Sequence, residues 1–333
     1  MAYELPRIVV AGDKPNANDQ NVIVNDIIDQ QSNIQALSAT VSTIVSSSFT
    51  NKLVDTRIFN TVGSSTYKLP QTSRLVIVEA IGAGGGGGSG GSNPFDTNGG
   101  SGGAGGTLWR TIVSVSSLGG AGSNVNVVIG AGGIGAVGGM NSDGNIGGTG
   151  GDSSFGNLFF PGSPGGWRGG ANLAGYRQRT WSRSYEVPGY GLSVVEGSEY
   201  SYGGRGISTS LTSVNEGGPG FGGGGGGGGG GGRTDATIFT AGSDGGVSRN
   251  DPFSNSSTGG GGSGAAINTS ASNATVPKSG GGGGGASSTN GGNGGNGANP
   301  GGGGGGGGAC GSAFTSGAGG NGGNAQIQIW VFG

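Results

Sequence analysis

Runs of consecutive glycine at 84–88, 222–232, 280–285 and 301–308 limit what this chain can fold into more than any other feature. Glycine loses the most backbone freedom on ordering and has no side chain to bury. It supplies 91 of the 333 residues, against an average usage of about 7%. A flexible linker or a disordered coil is the first reading of such a bias. The apolar residues oppose it: they make up 31% of the chain and gather into short strand-like runs between the glycine tracts. Linkers do not usually sit between strands that must pair with one another. In Gly291-Gly292-Asn293-Gly294-Gly295-Asn296-Gly297 the asparagine recurs at every third position, which is the repeat of a polyproline-II-type helix. That helix makes no internal hydrogen bonds, so its N–H and C=O groups must bond to neighbours. Glycine lets backbones approach closely enough for such contacts between rods. The spacing predicts a lattice of left-handed polyglycine-II helices with Asn and Ser pointing outward. A collagen triple helix is excluded by only 11 prolines and no sustained Gly-X-Y period.

The rest of the chain divides by periodicity. Residues 1–19 are a short arm, Ile8-Val9-Val10 followed by the turn-rich Gly12-Asp13-Lys14-Pro15-Asn16. It is too short to fold alone and is expected to dock on another protein or on its own oligomer mates. Over residues 20–49, Ile23, Ile27, Gln30, Ile34, Leu37, Val41 and Ile44 are spaced alternately four and three apart, a heptad seam. β-Branched residues at both core positions favour three strands, and a polar Gln30 in the seam fixes register. The competing reading, an amphipathic helix packed on its own domain, finds no partner helix nearby in the sequence. Residues 50–333 switch to period two. Arg57–Phe59, Thr66–Leu69, Arg74–Ala80, Thr107–Val113, Asn124–Ile129 and Ala325–Phe332 read as strands, with turns at Gly63-Ser64-Ser65 and Pro70-Gln71. Several run straight into glycine tracts, so sheet and glycine region should be continuous. The expected fold class is mainly β with an N-terminal α-helical trimeric coiled coil, and a β-rich tip domain of packed left-handed polyglycine-II helices.

Composition narrows the function classes. Histidine is absent and Cys310 is the single cysteine, which removes the commonest general base, the commonest transition-metal ligand and any intramolecular disulfide. No metal, no cofactor and no catalytic residue is expected. The balance of 15 basic and 17 acidic residues gives no basic face for nucleic acid. No signal peptide is visible at the N-terminus and no run approaches the length of a membrane span. Glu186/Glu196 and Glu196/Glu199 are nominal carboxylate pairs for glycoside hydrolysis, but nothing else marks them. The many G-x-G-x-x-G matches carry no information in so glycine-rich a chain. The protein is not expected to be an enzyme.

Three anchors carry a resemblance. Phe59, Tyr67 and Pro70 precede Arg74-Leu-Val-Ile-Val-Glu-Ala-Ile-Gly-Ala followed by polyglycine; next comes Val125-Asn-Val-Val-Ile-Gly-Ala-Gly-Gly; the close is Gly319-Gly-Asn-Gly-Gly-Asn-Ala-Gln-Ile-Gln-Ile-Trp-Val-Phe. Over about residues 55–333 this resembles the glycine-rich domain recurrent in bacteriophage tail fibres, and the tracts resemble the tips of T-even-type tail-fibre adhesins. The resemblance implies a receptor-binding adhesin of the virion, synthesised in the host cytoplasm and acting at the host cell surface. Residues 1–19 would be the virion-attachment arm, held by a phage tail or baseplate protein, and 20–49 the trimerisation stalk. The partner implied is a host surface polysaccharide or outer-membrane protein, reached by a homotrimer without membrane insertion. Unlike those adhesins, this chain carries its own N-terminal heptad segment, which implies arm, stalk and tip in one small fibre.

Within 50–333, glycine content falls over an insertion at about 159–221, where large side chains gather. Trp167, Arg168, Tyr176, Arg177, Arg179, Trp181, Arg183, Tyr185, Tyr190, Tyr200, Tyr202 and Arg205 are the receptor-binding candidates, because aromatic and arginine side chains bury much area at low entropic cost. Aromatic rings also stack on sugar faces, and arginine grips carboxylate or phosphate. The same side chains could instead form a local mini-core, and the two roles are expected to divide them. Phe95, Phe253 and Phe314, in the loops 93–98, 251–253 and 309–316, are further candidates that could equally plug the ends of glycine rods; 265–279 is read as another loop. A structural fibre or connector without receptor contact is the alternative function. An ice-binding glycine-helix protein is a third class, opposed by outward positions of mixed Ser, Asn and Ala rather than a threonine face.

Overall fold

The computed structural model describes Gln35 and residues 52–94, 97–170, 220–221, 224–234, 238–246, 248–249, 265–266, 268–275 and 277–333. The chain divides between Lys52 and Leu53, and the second unit, Leu53–Gly333, holds the fold. Its strands are β1 (Leu53–Phe59), β2 (Gly63–Lys68), β3 (Leu75–Ile81), β4 (Leu108–Ser114), β5 (Asn124–Ile129), β6 (Ser153–Phe155), β7 (Leu158–Phe160), β8 (Gly220–Phe221), β9 (Arg233–Thr234), β10 (Ile238–Phe239), β11 (Ser248–Arg249) and β12 (Gln326–Phe332). Two antiparallel four-stranded sheets, ordered β1-β12-β3-β4 and β2-β5-β6-β7, form the base of the unit.

Period-two patterning places one face of each sheet in a shared core. Val76, Val78 and Ala80 of β3, Ile327, Ile329 and Val331 of β12, and Val125, Val127 and Ile129 of β5 are all buried. Phe155 and Leu69 complete the centre. Each such aliphatic side chain contributes about 1.5–3 kcal/mol when fully buried. Phe59, Tyr67 and Phe155 pack with ring centroids 5.9–6.5 Å apart, within the usual range for tilted and edge-on pairs. This base is a β-sandwich.

Strands then become rods without a break. β3 runs on into 82–92, β5 into 130–139 and β7 into 161–170, while 98–106, 142–151 and 316–325 run into β4, β6 and β12. Rod 82–92 uses its backbone with period three. Gly84, Gly87 and Gly90 donate to the carbonyls of Gly323, Gly320 and Gly317; Gly85, Gly88 and Gly91 to Ala104, Ser101 and Asn98; Gly86, Ser89 and Ser92 to Gly148, Asn145 and Ser142. These bonds measure 2.8–3.1 Å. Its carbonyls accept in turn from rods 130–139, 161–170 and 301–310, as in Gly133 to Gly84, Gly166 to Gly86 and Gly304 to Gly85. The donors reach antiparallel neighbours and the acceptors serve parallel ones. Rod 82–92 is therefore bonded to six others through its backbone, and its side chains add bonds at Ser89 and Ser92.

Rod 301–310 is surrounded in the same way. It donates to 82–92, 224–232 and 291–299 and accepts from 98–106, 279–287 and 316–325. The close approach requires glycine: a methyl built on Gly87 would overlap the Gly305 carbonyl oxygen, and one on Gly84 the Gly302 carbonyl oxygen. Handedness follows from the dihedral angles. Positive φ is confined to Gly63, Gly119, Gly120, Gly122, Gly156 and Gly301 among the described glycines, whereas a right-handed threefold rod would need it throughout. The rods are left-handed.

Where a rod reaches the rim, polar side chains replace the missing neighbour. Exposed Asn290, Asn293, Asn296 and Asn299, three residues apart, accept on Oδ1 from the N–H of Thr315, Ala318, Asn321 and Asn324 at 2.6–3.1 Å. Further inside, Ser243 Oγ and Thr240 Oγ1 also accept, from the N–H of Gly229 and Gly232 at 2.7 Å, beside backbone bonds between the same residues.

Several expectations need correction. The α-helical coiled coil does not stand as part of the fold class: the described residues are strands and extended rods, and their longest helical element is the four-residue 3-10 turn Val115–Leu118. The heptad positions Ile23, Ile27, Gln30, Ile34, Leu37, Val41 and Ile44 lie outside the described residues. Gln35, a single exposed helical residue, makes no element. Gly63-Ser64-Ser65 opens β2 rather than forming a turn, since its residues pair with Ile129, Val128 and Val127. Most of 265–279 is an outer rod of the lattice rather than a loop, with Ala271 and Ala274 donating to the carbonyls of Asn293 and Asn296.

Candidate functional site

Because the rods alternate in direction, the segments joining them collect at the end of the lattice away from the sandwich. There the chain at Ser92–Asn93, Thr97–Asn98, Met140–Asp143, Gly170, Arg233–Thr234, Ile238–Phe239, Ser287–Asn290 and Cys310–Ser316 comes together from distant parts of the sequence. Isolated bridges pair Ser92 with Ser142 and Cys310, Thr97 with Arg233, Met140 with Thr315, and Ser287 with Cys310. Ser92 Oγ donates within reach of both the Phe314 carbonyl, 2.7 Å, and the Gly311 carbonyl, 3.0 Å. Asn93 Nδ2 donates to Asp143 Oδ1 at 3.0 Å, and Arg233 Nη1 to the Asn93 carbonyl at 3.0 Å. Small polar side chains thus finish what the backbone lattice leaves open, and they fix the loop bases.

Trp167 and Arg168 belong to rod 161–170. The Trp167 N–H donates to Ser101 Oγ at 2.5 Å, its ring is half-buried, and Arg168 is exposed. Tyr176, Arg177, Arg179, Trp181, Arg183, Tyr185, Tyr190, Tyr200, Tyr202, Arg205, Phe95 and Phe253 lie outside the described residues. Gly170, the last described residue before most of them, lies at the distal end of the lattice, where its carbonyl accepts from Asn98 Nδ2 at 3.2 Å. Beyond residue 219, Gly220 and Phe221 pair with Ser248 and Arg249, and at the sandwich end Gly224 donates to the Gly106 carbonyl. Of the insertion read at about 159–221, residues 161–170 run as a rod of the lattice, and 171–219 lie outside the described residues. Phe314 sits at the distal end, half-buried between the bonds its carbonyl accepts from Ser92 Oγ and Cys310 Sγ.

Cys310 is buried, and that burial pushes its thiol up from the ordinary range; Sγ donates to the Phe314 carbonyl at 3.2 Å. It is a filled structural position. Among the described residues no group of three His, Cys, Asp or Glu could hold a metal ion. A titratable pair does exist at the other end, in the sandwich. Partial burial pushes the Asp55 carboxyl up, but hydrogen bonds from the Tyr67 hydroxyl, Arg57 and the Thr56 N–H outweigh it and hold Asp55 below its usual value. Burial first, and that same bond to Asp55 second, raise the Tyr67 hydroxyl far above its ordinary range.

Two surface features escaped the sequence reading. On rod 130–139 and just beyond it, Ile134, Val137 and Met140 are 76%, 74% and 60% exposed, an apolar ridge at every third residue along the side of the lattice. Alternating Ala, Gly and apolar residues over 131–140 carried that signal at period three. The other feature is Arg233, 7% exposed, the first residue after the longest glycine run. A charged side chain ending a rod that admits no side chains was the available clue. No protein-family model matches this chain, and no curated protein matches it.

Proposed function

We propose that this chain is a non-enzymatic receptor-binding adhesin of a bacteriophage tail fibre, which attaches the virion to a host bacterial surface through the distal end of its glycine lattice. The observation that carries this reading is the backbone-bonded lattice itself. Rods bonded on all sides hold loops of widely separated sequence in fixed mutual positions at one end. Pre-positioned loops lose little freedom on binding, which raises affinity per contact. The aromatic and arginine-rich segment follows Gly170, which lies at that same end, and its residues are of the type that dominates recognition surfaces. A host surface polysaccharide or outer-membrane protein is the partner that such side chains fit. Residues 1–19 would hold the chain to a tail or baseplate protein.

The test is adsorption of the purified protein to host cells and to host mutants lacking lipopolysaccharide or single porins. Saturable binding lost with one surface component supports the adhesin; failure to bind any susceptible cell sinks it. Replacing 171–219 with a Gly/Ser linker sharpens the outcome. The linker must span the rod length, about 28 Å for nine residues at 3.1 Å each. An adhesin then assembles into virions and loses adsorption.

A second reading, a structural fibre or connector, draws on the apolar ridge of Ile134, Val137 and Met140. A contiguous exposed apolar row marks a surface that meets another protein. Under this reading the linker variant adsorbs normally, while charged substitutions on the ridge block virion assembly.

A further inference from the structure

We propose that Arg233 and Thr97, at the distal end of the lattice, form a binding site for a single oxyanion, a phosphate or carboxylate group borne by the surface ligand. The proposal rests on the adhesin reading for the source of that ligand, though the site itself rests on geometry alone. Arg233 and Thr97 are a mutually bonded backbone pair: the Thr97 N–H donates to the Arg233 carbonyl at 2.9 Å and the Arg233 N–H to the Thr97 carbonyl at 2.7 Å. In such an antiparallel pair the two side chains rise on the same face. Both are more than nine-tenths buried, at 7% and 1% exposure.

Among the described residues Arg233 has one side-chain bond and Thr97 none. Arg233 offers five N–H donors, and its side-chain bond is the one from Nη1 to the neutral Asn93 carbonyl. The ion pairs of Arg57 with Asp55 and of Arg110 with Glu79 do not involve Arg233. Thr97 Oγ1 is buried without a hydrogen-bond partner. A buried guanidinium with one bond and a buried hydroxyl with none are costly, because burial removes water without replacing its bonds. An oxyanion answers both at once. It would take two parallel N–H bonds from the guanidinium fork and one O–H from Thr97, an arrangement that a neutral sugar hydroxyl cannot match in charge. Half-buried Gly311 borders the guanidinium. A Cβ placed on Gly311 would stand 3.9 Å from the guanidinium carbon.

Calorimetric titration of the full chain at low salt, with inorganic phosphate and with glucuronate as probes, tests the site and tells the two anions apart. Saturable binding of at least one probe is expected. Arg233→Gln should weaken it about 10-fold to 100-fold, the loss that a charge-assisted hydrogen bond brings. Thr97→Val, which keeps side-chain shape and the guanidinium, should weaken it several-fold and guards against misfolding of the arginine variant. Binding unchanged in both variants, or no binding by the parent protein, overturns the site. So does a crystal structure in which Asp96 or Asp235, their neighbours in sequence, pairs with Arg233. Cell adsorption run in parallel separates the two ideas. Adsorption without anion binding removes this site alone, and anion binding without adsorption to any susceptible cell removes the adhesin alone.

Discussion

The sandwich and the lattice are built from the same chain segments, yet they are held together by opposite means. In the sandwich, backbone bonds run within each sheet and side chains fill the space between sheets, as Ile327 and Ile329 do beneath β12. In the lattice interior glycine dominates, with a few alanines and serines, and N–H and C=O groups of rod 82–92 reach six neighbours directly. One region is stabilised by apolar burial, the other by saturating every backbone group. The difference explains why glycine, a destabilising residue in an ordinary strand, is here the residue that the architecture demands.

The largest expected effect tests that demand. Gly87→Val places a branched side chain against the Gly305 carbonyl inside the lattice. It should cost more than about 4 kcal/mol, read as a collapse of the urea midpoint or failure to fold. A variant with the parental midpoint would mean that the rods do not pack as described. Next comes the sandwich, where Ile329→Ala leaves a cavity beneath β12 and should cost about 2–5 kcal/mol. If the two substitutions lower stability in separate transitions, sandwich and lattice unfold as independent units, and the comparison becomes one of two domains.

Smaller effects sharpen the picture at the edges. Asn296→Ala removes the Oδ1 that accepts from the Asn321 N–H. Water can reach this exposed rung, so the loss should be about 0.5–1.5 kcal/mol by urea denaturation; a loss as large as that of Ile329→Ala would make the rim, not the interior, the lattice's weak point. The smallest effect is on pH dependence. Asp55 has a lowered folded-state pKa, so its contribution is present above the usual carboxylate value of about 3.9 and is lost as pH falls through the lowered one. Asp55→Asn should flatten the acid limb of a stability–pH curve while leaving neutral stability slightly reduced. An unchanged acid limb would show that the Tyr67–Asp55 bond is inert.

How much of this was legible depended on which residues carried information. Strands β3, β5 and β12 declared themselves through period two, and the threefold recurrence of Asn293 and Asn296 announced a rod. The hairpin of β6 and β7 went unread although Phe155-Gly156-Asn157-Leu158 offers a two-residue turn with Gly156 at φ +59°; three-residue strands are too short for periodicity to register. Which rod meets which could not be read at all, since one glycine run looks like any other. The strands settle it: β3, β4, β5, β6, β7 and β12 deliver their rods in an order set by the sandwich. Residues 265–279 were mistaken for a loop because Ser, Asn and Ala serve equally in turns and on an outer rod. Arg233 was passed over because isolated charge in a loop is ordinary, and only its burial makes it unusual. The heptad pattern over 20–49 was the strongest periodicity in the chain, but no coiled coil belongs to the described fold.

A lattice so poor in side chains also responds to cold differently from the base that carries it. Apolar burial loses driving force as temperature falls, whereas bonds such as those from Gly84, Gly85 and Gly86 to three separate neighbours draw nothing from that source. Near freezing, the sandwich softens first while the far end keeps its shape.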